Sequence, residues 1–217
     1  MNLHLVLRQL GSLILVLSAT LIAIFVGAFL LGEESIGDSI RIHRYILETA
    51  GISTLIGVVF ILIGKQKQTS DSMGRREALL LGSSSYLVGG LIAALPFWLW
   101  AKESAGENHP FQSGVNCLFE ATSGLTTTGA TILADISLLP DPLLFWRALL
   151  QWLGGLGIIV LFVAVLPMLG SGGRKLFRVE GASAAVQSGV TPSIKETARV
   201  LWVLYVCLTA ILVMCYW

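Results

Sequence analysis

The sequence predicts an all-α membrane protein with five spans and a polar loop that turns back partway through the bilayer. Three observations carry this. Hydrophobic residues make up 55% of the chain and charged residues 12%, roughly half the charge of an ordinary soluble domain. The apolar residues gather in runs near the length, about 20 residues, that crosses a hydrocarbon core. Between the third and fourth runs lies FEATSGLTTTGATIL, Phe119 to Leu133, a composition that suits neither a lipid-facing span nor a plain surface turn.

The first span, Leu10 to Leu31, carries no charge and is too long for the apolar core of a signal peptide. The second runs from Tyr45 to Gly64 and is weakened at its start by Glu48. The third, Ala78 to Trp100, ends in Phe97, Trp98 and Trp100, an aromatic cluster of the kind found at headgroup level. The fourth lies within Pro142 to Leu169 and the fifth is Thr197 to Trp217.

Charge sets the orientation. With the N-terminus in the cytoplasm, Arg8, Lys65, Lys67, Arg75, Arg76, Arg174, Lys175, Arg178, Lys195 and Arg199 all fall on the inner side. The outer side keeps Arg41, Arg44, Lys102 and Arg147 and most of the acids. This asymmetry follows the positive-inside rule. The net charge of +1 does not point to a nucleic-acid partner. The basic 174–178 cluster suits anionic lipid. Cys117, Cys207 and Cys215 have no paired spacing, so neither a zinc site nor a disulfide framework is indicated. His4, His43 and His109 are scattered and read as solvated loop residues.

Within the polar connection, Gly114 to Gly124 has helical composition and a length of about half a hydrocarbon core at 1.5 Å per residue. Leu125 to Thr131, LTTTGAT, is β-branched and predicted to be extended. Non-helical backbone at membrane depth survives only when buried in protein or lining a watery cavity. An extended strand facing such a cavity can present its carbonyls to a cation, as potassium-channel filters do. Gly129 permits backbone angles that other residues resist, and the C-terminal end of the half helix favours a cation. Thr127, Thr128, Gly129 and Ala130 are therefore the candidate filter, with K⁺ placed at Thr127 and Thr128. Glu120, Ser123, Gly124, Thr126 and Thr131 are candidate supports. A carboxylate at membrane depth is functional by default. Glu120 is expected to hold the loop by accepting backbone N–H bonds rather than to attract the ion. Arg147 is expected to snorkel or to pair with an outer acid such as Asp141. Gly154, Gly155 and Gly157 are expected to let helices approach closely.

Two other readings remain at this stage. A membrane enzyme would use Glu120, Asp135 and Asp141 as acid–base groups, but no His, Ser or metal constellation accompanies them. A non-conducting assembly module would use the Thr-Gly loop only as a turn.

FEATSGLTTTGATIL resembles the first pore loop of the TrkH-like subunits of the Trk/Ktr potassium-uptake family. LLFWRALLQWLGGLGIIVL (Leu143 to Leu161) is similar to the family's following helix. LFRVE (Leu176 to Glu180) and TPSIKETARVLWVLYV (Thr191 to Val206) resemble its cytoplasmic link into a second repeat. The resemblance implies two leading transmembrane helices (1–76), one helix–pore-loop–helix unit (77–170), a cytoplasmic linker (171–196) and the first helix of a second repeat (197–217). A shift of 119 residues superposes Glu77 on Glu196, Tyr86 on Tyr205, Ile92 on Ile211 and Trp98 on Trp217, in keeping with such a repeat. The resemblance further implies potassium uptake across the bacterial cytoplasmic membrane, a homodimer, and a cytoplasmic nucleotide-binding regulatory subunit, with no cofactor beyond the transported K⁺. Four pore loops complete a filter in this family, and one is present here. The chain is therefore expected to be a truncated part that does not conduct alone, needing the remaining repeats.

Overall fold

The computed structural model describes residues 2–30, 36–65, 74–106, 108–136, 139–165 and 194–216. Among them the secondary structure is entirely helical: α1 (Leu3–Leu30), α2 (Ile36–Lys65), α3 (Arg75–Ser104), a 3₁₀ turn (Pro110–Gln112), α4 (Gly114–Leu125), α5 (Asp141–Val165) and α6 (Ile194–Tyr216). Among the described residues four stretches are long and apolar enough to cross a membrane: Leu3–Gly27, Arg44–Lys65, Arg76–Ser104 and Ala198–Tyr216. The fourth expected span corresponds to α5, 25 residues long, and its last expected residues lie outside the described ones. So do most of the 171–196 linker, the basic 174–178 cluster, LFRVE and Trp217. The first helix starts at Leu3 rather than Leu10, because Arg8 interrupts the apolar run but not the helical backbone.

The chain divides into two compact units, Met1–Gly154 and Gly155–Trp217. In the first unit α1 and α2 pack backbone to backbone. A Cβ on Gly11 would lie 2.7 Å from the Gly57 carbonyl oxygen, and one on Gly64 would lie 2.7 Å from that of His4. Small residues allow this approach where lipid offers no hydrophobic drive for helices to associate. The Ser18 hydroxyl donates to the Ala50 carbonyl (2.9 Å) and meets the Thr54 hydroxyl at 2.7 Å, so the polar groups of the interface satisfy each other. Glu48, the weak point of the second span, pairs with Arg44 one turn earlier at 3.0 Å. Arg44 also reaches Glu103 at the end of α3 (2.9 Å), and the Tyr45 hydroxyl donates to the same carboxylate (2.9 Å).

Pro96 lies inside α3 and cannot donate to the Ile92 carbonyl one turn back. At the next residue the buried Trp146 of α5 donates its indole N–H to the Ala93 carbonyl, 3.0 Å away. Phe97, Phe111, Ala121, Leu143, Trp146 and Leu150 belong to the core that joins α3, α4 and α5. Leucines such as Leu55 and Leu87 are exposed on the outer faces of their helices, as lipid contact requires.

In the second unit, a Cβ on Gly155 would lie 2.9 Å from the Tyr205 hydroxyl. The Thr209 hydroxyl donates to the Tyr205 carbonyl at 2.8 Å, an internal bond that lets a polar side chain sit in an apolar helix.

Candidate functional site

The half helix α4 spans Gly114–Leu125, 12 residues, about 18 Å at 1.5 Å per residue. Its beginning is tied to the end of α3. The Gln112 amide donates to the Ala101 carbonyl (2.6 Å), and the Cys117 thiol donates to the Phe111 carbonyl (3.1 Å). His109, expected as a solvated loop residue, is instead half-buried. Its ring meets Trp100 and Phe111 edge-on, with centroids 5.1 and 5.3 Å apart. Its Nδ1 accepts the Phe111 N–H at 3.1 Å. Burial lowers its pKa from the ordinary imidazole value, because the charged form would lose hydration. A sequence places His109 in a loop but does not show that the loop folds over an aromatic pair.

The other end of α4 differs from the expected extended strand. The helix continues through Leu125, Thr126 closes it with φ −87° and ψ 3°, and Thr127 is left-handed with φ 57°. The Thr127 N–H donates to the Gly124 carbonyl and the Thr128 N–H to the Ser123 carbonyl, both at 2.9 Å. This is the Schellman pattern of a helix C-terminus, with threonine in the place that glycine usually takes. A left-handed non-glycine residue costs roughly 1–2 kcal/mol. Such strain persists only where surrounding contacts impose it, and it gathers at functional sites. Gly129 is left-handed as well, with φ 74°, an angle that a glycine adopts freely. Only the short piece after Thr127 runs as an irregular return.

The amides of this turn point back to the helix, and the carbonyls are treated unequally. The Gly129 carbonyl accepts from Arg147 Nη2 at 3.2 Å, and the Ala130 carbonyl accepts the Ser123 hydroxyl at 2.6 Å. Among the described residues no hydrogen bond engages the carbonyls of Thr127 and Thr128. The hydroxyls of Thr126 and Thr128 meet at 2.8 Å, and Thr126 also donates to the Thr122 carbonyl at 2.8 Å. Residues 126–131 are exposed while Glu120, Ser123, Gly124 and Leu125 behind them are buried.

Glu120 is 1% exposed. Its Oε2 accepts the Thr131 hydroxyl (3.0 Å) and the Ile132 N–H (3.3 Å), and its Oε1 accepts Arg147 Nε at 2.5 Å. The expected backbone-holding contact is present, but the strongest partner is the arginine. Arg147 pairs with an outer acid, one of the two outcomes expected, but the acid is Glu120 and not Asp141. The reason is close packing of α5 on α4. A Cβ on Gly154 would overlap the Leu125 carbonyl, and one on Gly124 would lie 3.1 Å from Leu150 Cβ. This brings the Arg147 side chain, 15% exposed, against a carboxylate with no exposure. A buried carboxylate is tolerable only when paired and hydrogen-bonded, and Arg147 supplies that pair. No trio of His, Cys, Asp and Glu that could hold a metal ion is present among the described residues.

Four stretches long and apolar enough to cross a membrane among the described residues, with a short helix and a strained return between two long helices, define an integral membrane protein. Comparison with known proteins gives the family. The family model for TrkH, cation transport protein, matches residues 54–217, and the chain belongs to that family. It is 34% identical over 216 residues to the Trk system potassium uptake protein TrkH of Halomonas elongata and 35% identical over 217 residues to TrkH of Escherichia coli K12. In each case the match takes in 100% of this chain and 42% of the relative. The chain thus spans less than half the length of these curated relatives. The crystal structure of the potassium transporter TrkH from Vibrio parahaemolyticus is similar at a TM-score of 0.70 and 31% identity. That match covers 97% of this chain and 38% of the other.

Proposed function

We propose that this chain forms the N-terminal part of the membrane subunit of a potassium-uptake system, and that its re-entrant loop supplies one portion of a K⁺ filter. In this reading residues 77–170 are the first helix–pore-loop–helix repeat. The carbonyls of Thr127, Thr128, Gly129 and Ala130 face the ion, with K⁺ at Thr127 and Thr128. Glu120, Ser123, Gly124, Thr126 and Thr131 support them. The observation that carries the reading is the turn after α4. Its amides are consumed by the helix end, and the Thr127 and Thr128 carbonyls are left without a protein donor among the described residues. These carbonyls lie on the exposed side of the loop, where carbonyl oxygens unclaimed by a protein donor can replace the water shell of a cation. The negative end of α4 adds a fixed attraction. The named activity of the similar proteins, potassium uptake, agrees with this chemistry.

The same reading places the protein in the bacterial cytoplasmic membrane with its N-terminus inside. Its partners are the remaining pore repeats, a second copy, and a cytoplasmic nucleotide-binding regulatory subunit. The test is growth of potassium-uptake-deficient Escherichia coli at low potassium, carrying residues 1–217 in place of the matching part of its own TrkH. Rescue is expected, and Gly129→Ala, which forces a side chain onto a left-handed backbone, is expected to abolish it while the protein still reaches the membrane. Undiminished rescue by Gly129→Ala would reduce the loop to a turn in an assembly module.

A further inference from the structure

We infer that Arg147 is a positioning residue for ion selectivity, acting by clamping the Gly129 carbonyl to the buried Glu120 carboxylate. This rests on the filter reading above.

The guanidinium is planar and forked, and its two prongs serve different partners. Nε bonds Glu120 Oε1 at 2.5 Å and Nη2 bonds the Gly129 carbonyl at 3.2 Å. The second carboxylate oxygen of Glu120 takes the Thr131 hydroxyl and the Ile132 N–H. One ion pair therefore grips the return on both sides of Ala130, whose own carbonyl is held by Ser123. Gly129 lacks a side chain to limit its angles, so the carbonyl that its φ of 74° presents is fixed from outside by Arg147. A carbonyl that can swing adapts to ions of different size, whereas a held one does not. In the size-fit account of selectivity, carbonyls held at a fixed spacing are what separate K⁺ from Na⁺.

Charge gives Glu120 a second, separable part. Arg147 places a positive charge beside a carbonyl meant for a cation, and Glu120 neutralises it. Removing the carboxylate charge leaves that positive charge uncompensated near the ion, which weakens cation binding of any kind. Removing the fork but keeping the charge loosens the carbonyl, which alters discrimination.

The experiment uses the same TrkH in which residues 1–217 replace the matching part, measuring K⁺ and Na⁺ uptake and the melting temperature in KCl against NaCl. Arg147→Lys keeps the pair with Glu120 but cannot span both partners. The K⁺ to Na⁺ uptake ratio is expected to fall about tenfold, the worth of one charge-assisted hydrogen bond, and the extra melting temperature that KCl confers is expected to shrink. Glu120→Gln removes the charge and puts an NH2, which cannot accept, in place of one of the two accepting oxygens. It is therefore expected to raise the KM for K⁺ about tenfold, on the same scale of one lost charge interaction, and to lower the ratio as well. If either variant merely lowers the melting temperature equally in both salts, with ratio and KM unchanged, Arg147 and Glu120 only hold the fold and the inference fails. If the unsubstituted protein neither transports K⁺ nor gains stability from it, the filter reading itself fails. Either variant alone suffices should the other not fold.

Discussion

The α1–α2 pair and the α4–α5 region solve the same problem, packing apolar helices in lipid, with opposite means. In the pair, both backbones stay helical, so each helix satisfies its own N–H and C=O groups. Closeness is then all that is required, and Gly11, Gly57 and Gly64 supply it with one hydroxyl link through Ser18. Around α4 the chain leaves the helix at Thr126. Its backbone groups then need donors and acceptors from elsewhere, and the region recruits a buried carboxylate, a guanidinium and three hydroxyls. Among the described residues the helical pair buries hydroxyls alone, whereas a buried charge, Glu120, appears where the backbone stops serving itself.

Substitutions can break or sharpen that contrast. The largest effect is expected from Glu120→Ala, which strands the Arg147 charge. Breaking a buried pair costs about 3–5 kcal/mol, to be read as a lower melting temperature in detergent and loss of membrane-inserted protein. Next comes Gly11→Ala in the hairpin. Its Cβ would meet the Gly57 oxygen at 2.7 Å and the Ile61 backbone N at 3.0 Å. Neither atom can turn aside, so α1 and α2 must separate at a cost of about 1–3 kcal/mol. A variant as stable as the parent would show that the hairpin is not held by closeness. Thr127→Gly is expected to go the other way, gaining about 1 kcal/mol by relieving the left-handed threonine, while potassium-dependent growth declines. A gain in stability with unimpaired growth would mean that the strain serves nothing. The smallest change is expected for Ser18→Ala, about 0.6 kcal/mol, the average of interhelical hydrogen bonds in membranes.

The sequence made the spans legible because lipid demands about twenty apolar residues at a stretch, and α2, α3 and α6 lie where those runs fall. The half helix was legible for the related reason that Gly114 to Gly124 is too short to cross, and α4 ends one residue later at Leu125. Gly129 was legible through its missing side chain, and φ of 74° bears that out. Thr127 was not. A β-branched residue argues for extension, and only the bonds from residues 127 and 128 back to Gly124 and Ser123 push it into the left-handed region. His109 was misread for a similar reason, since its partners Trp100 and Phe111 meet it only after the connection folds.

Arg147 marks the boundary most clearly. Any of several outer acids could have paired with it, Asp141 being the nearby example, and Glu120, twenty-seven positions away, takes it. Local chemistry, meaning hydropathy, length and the freedom of glycine, acts through neighbouring residues and is therefore written along the chain. By itself it determined a helical membrane protein with a short helix and a glycine-bearing polar connection between two long helices. Which carboxylate meets which guanidinium depends on how closely α5 rests on α4, a distance set by Gly154 and Gly124 against Leu125 and Leu150. That three-dimensional fit decided which loop carbonyls are held and which are left open, because electrostatic pairing at membrane depth goes to the partner that packing brings near.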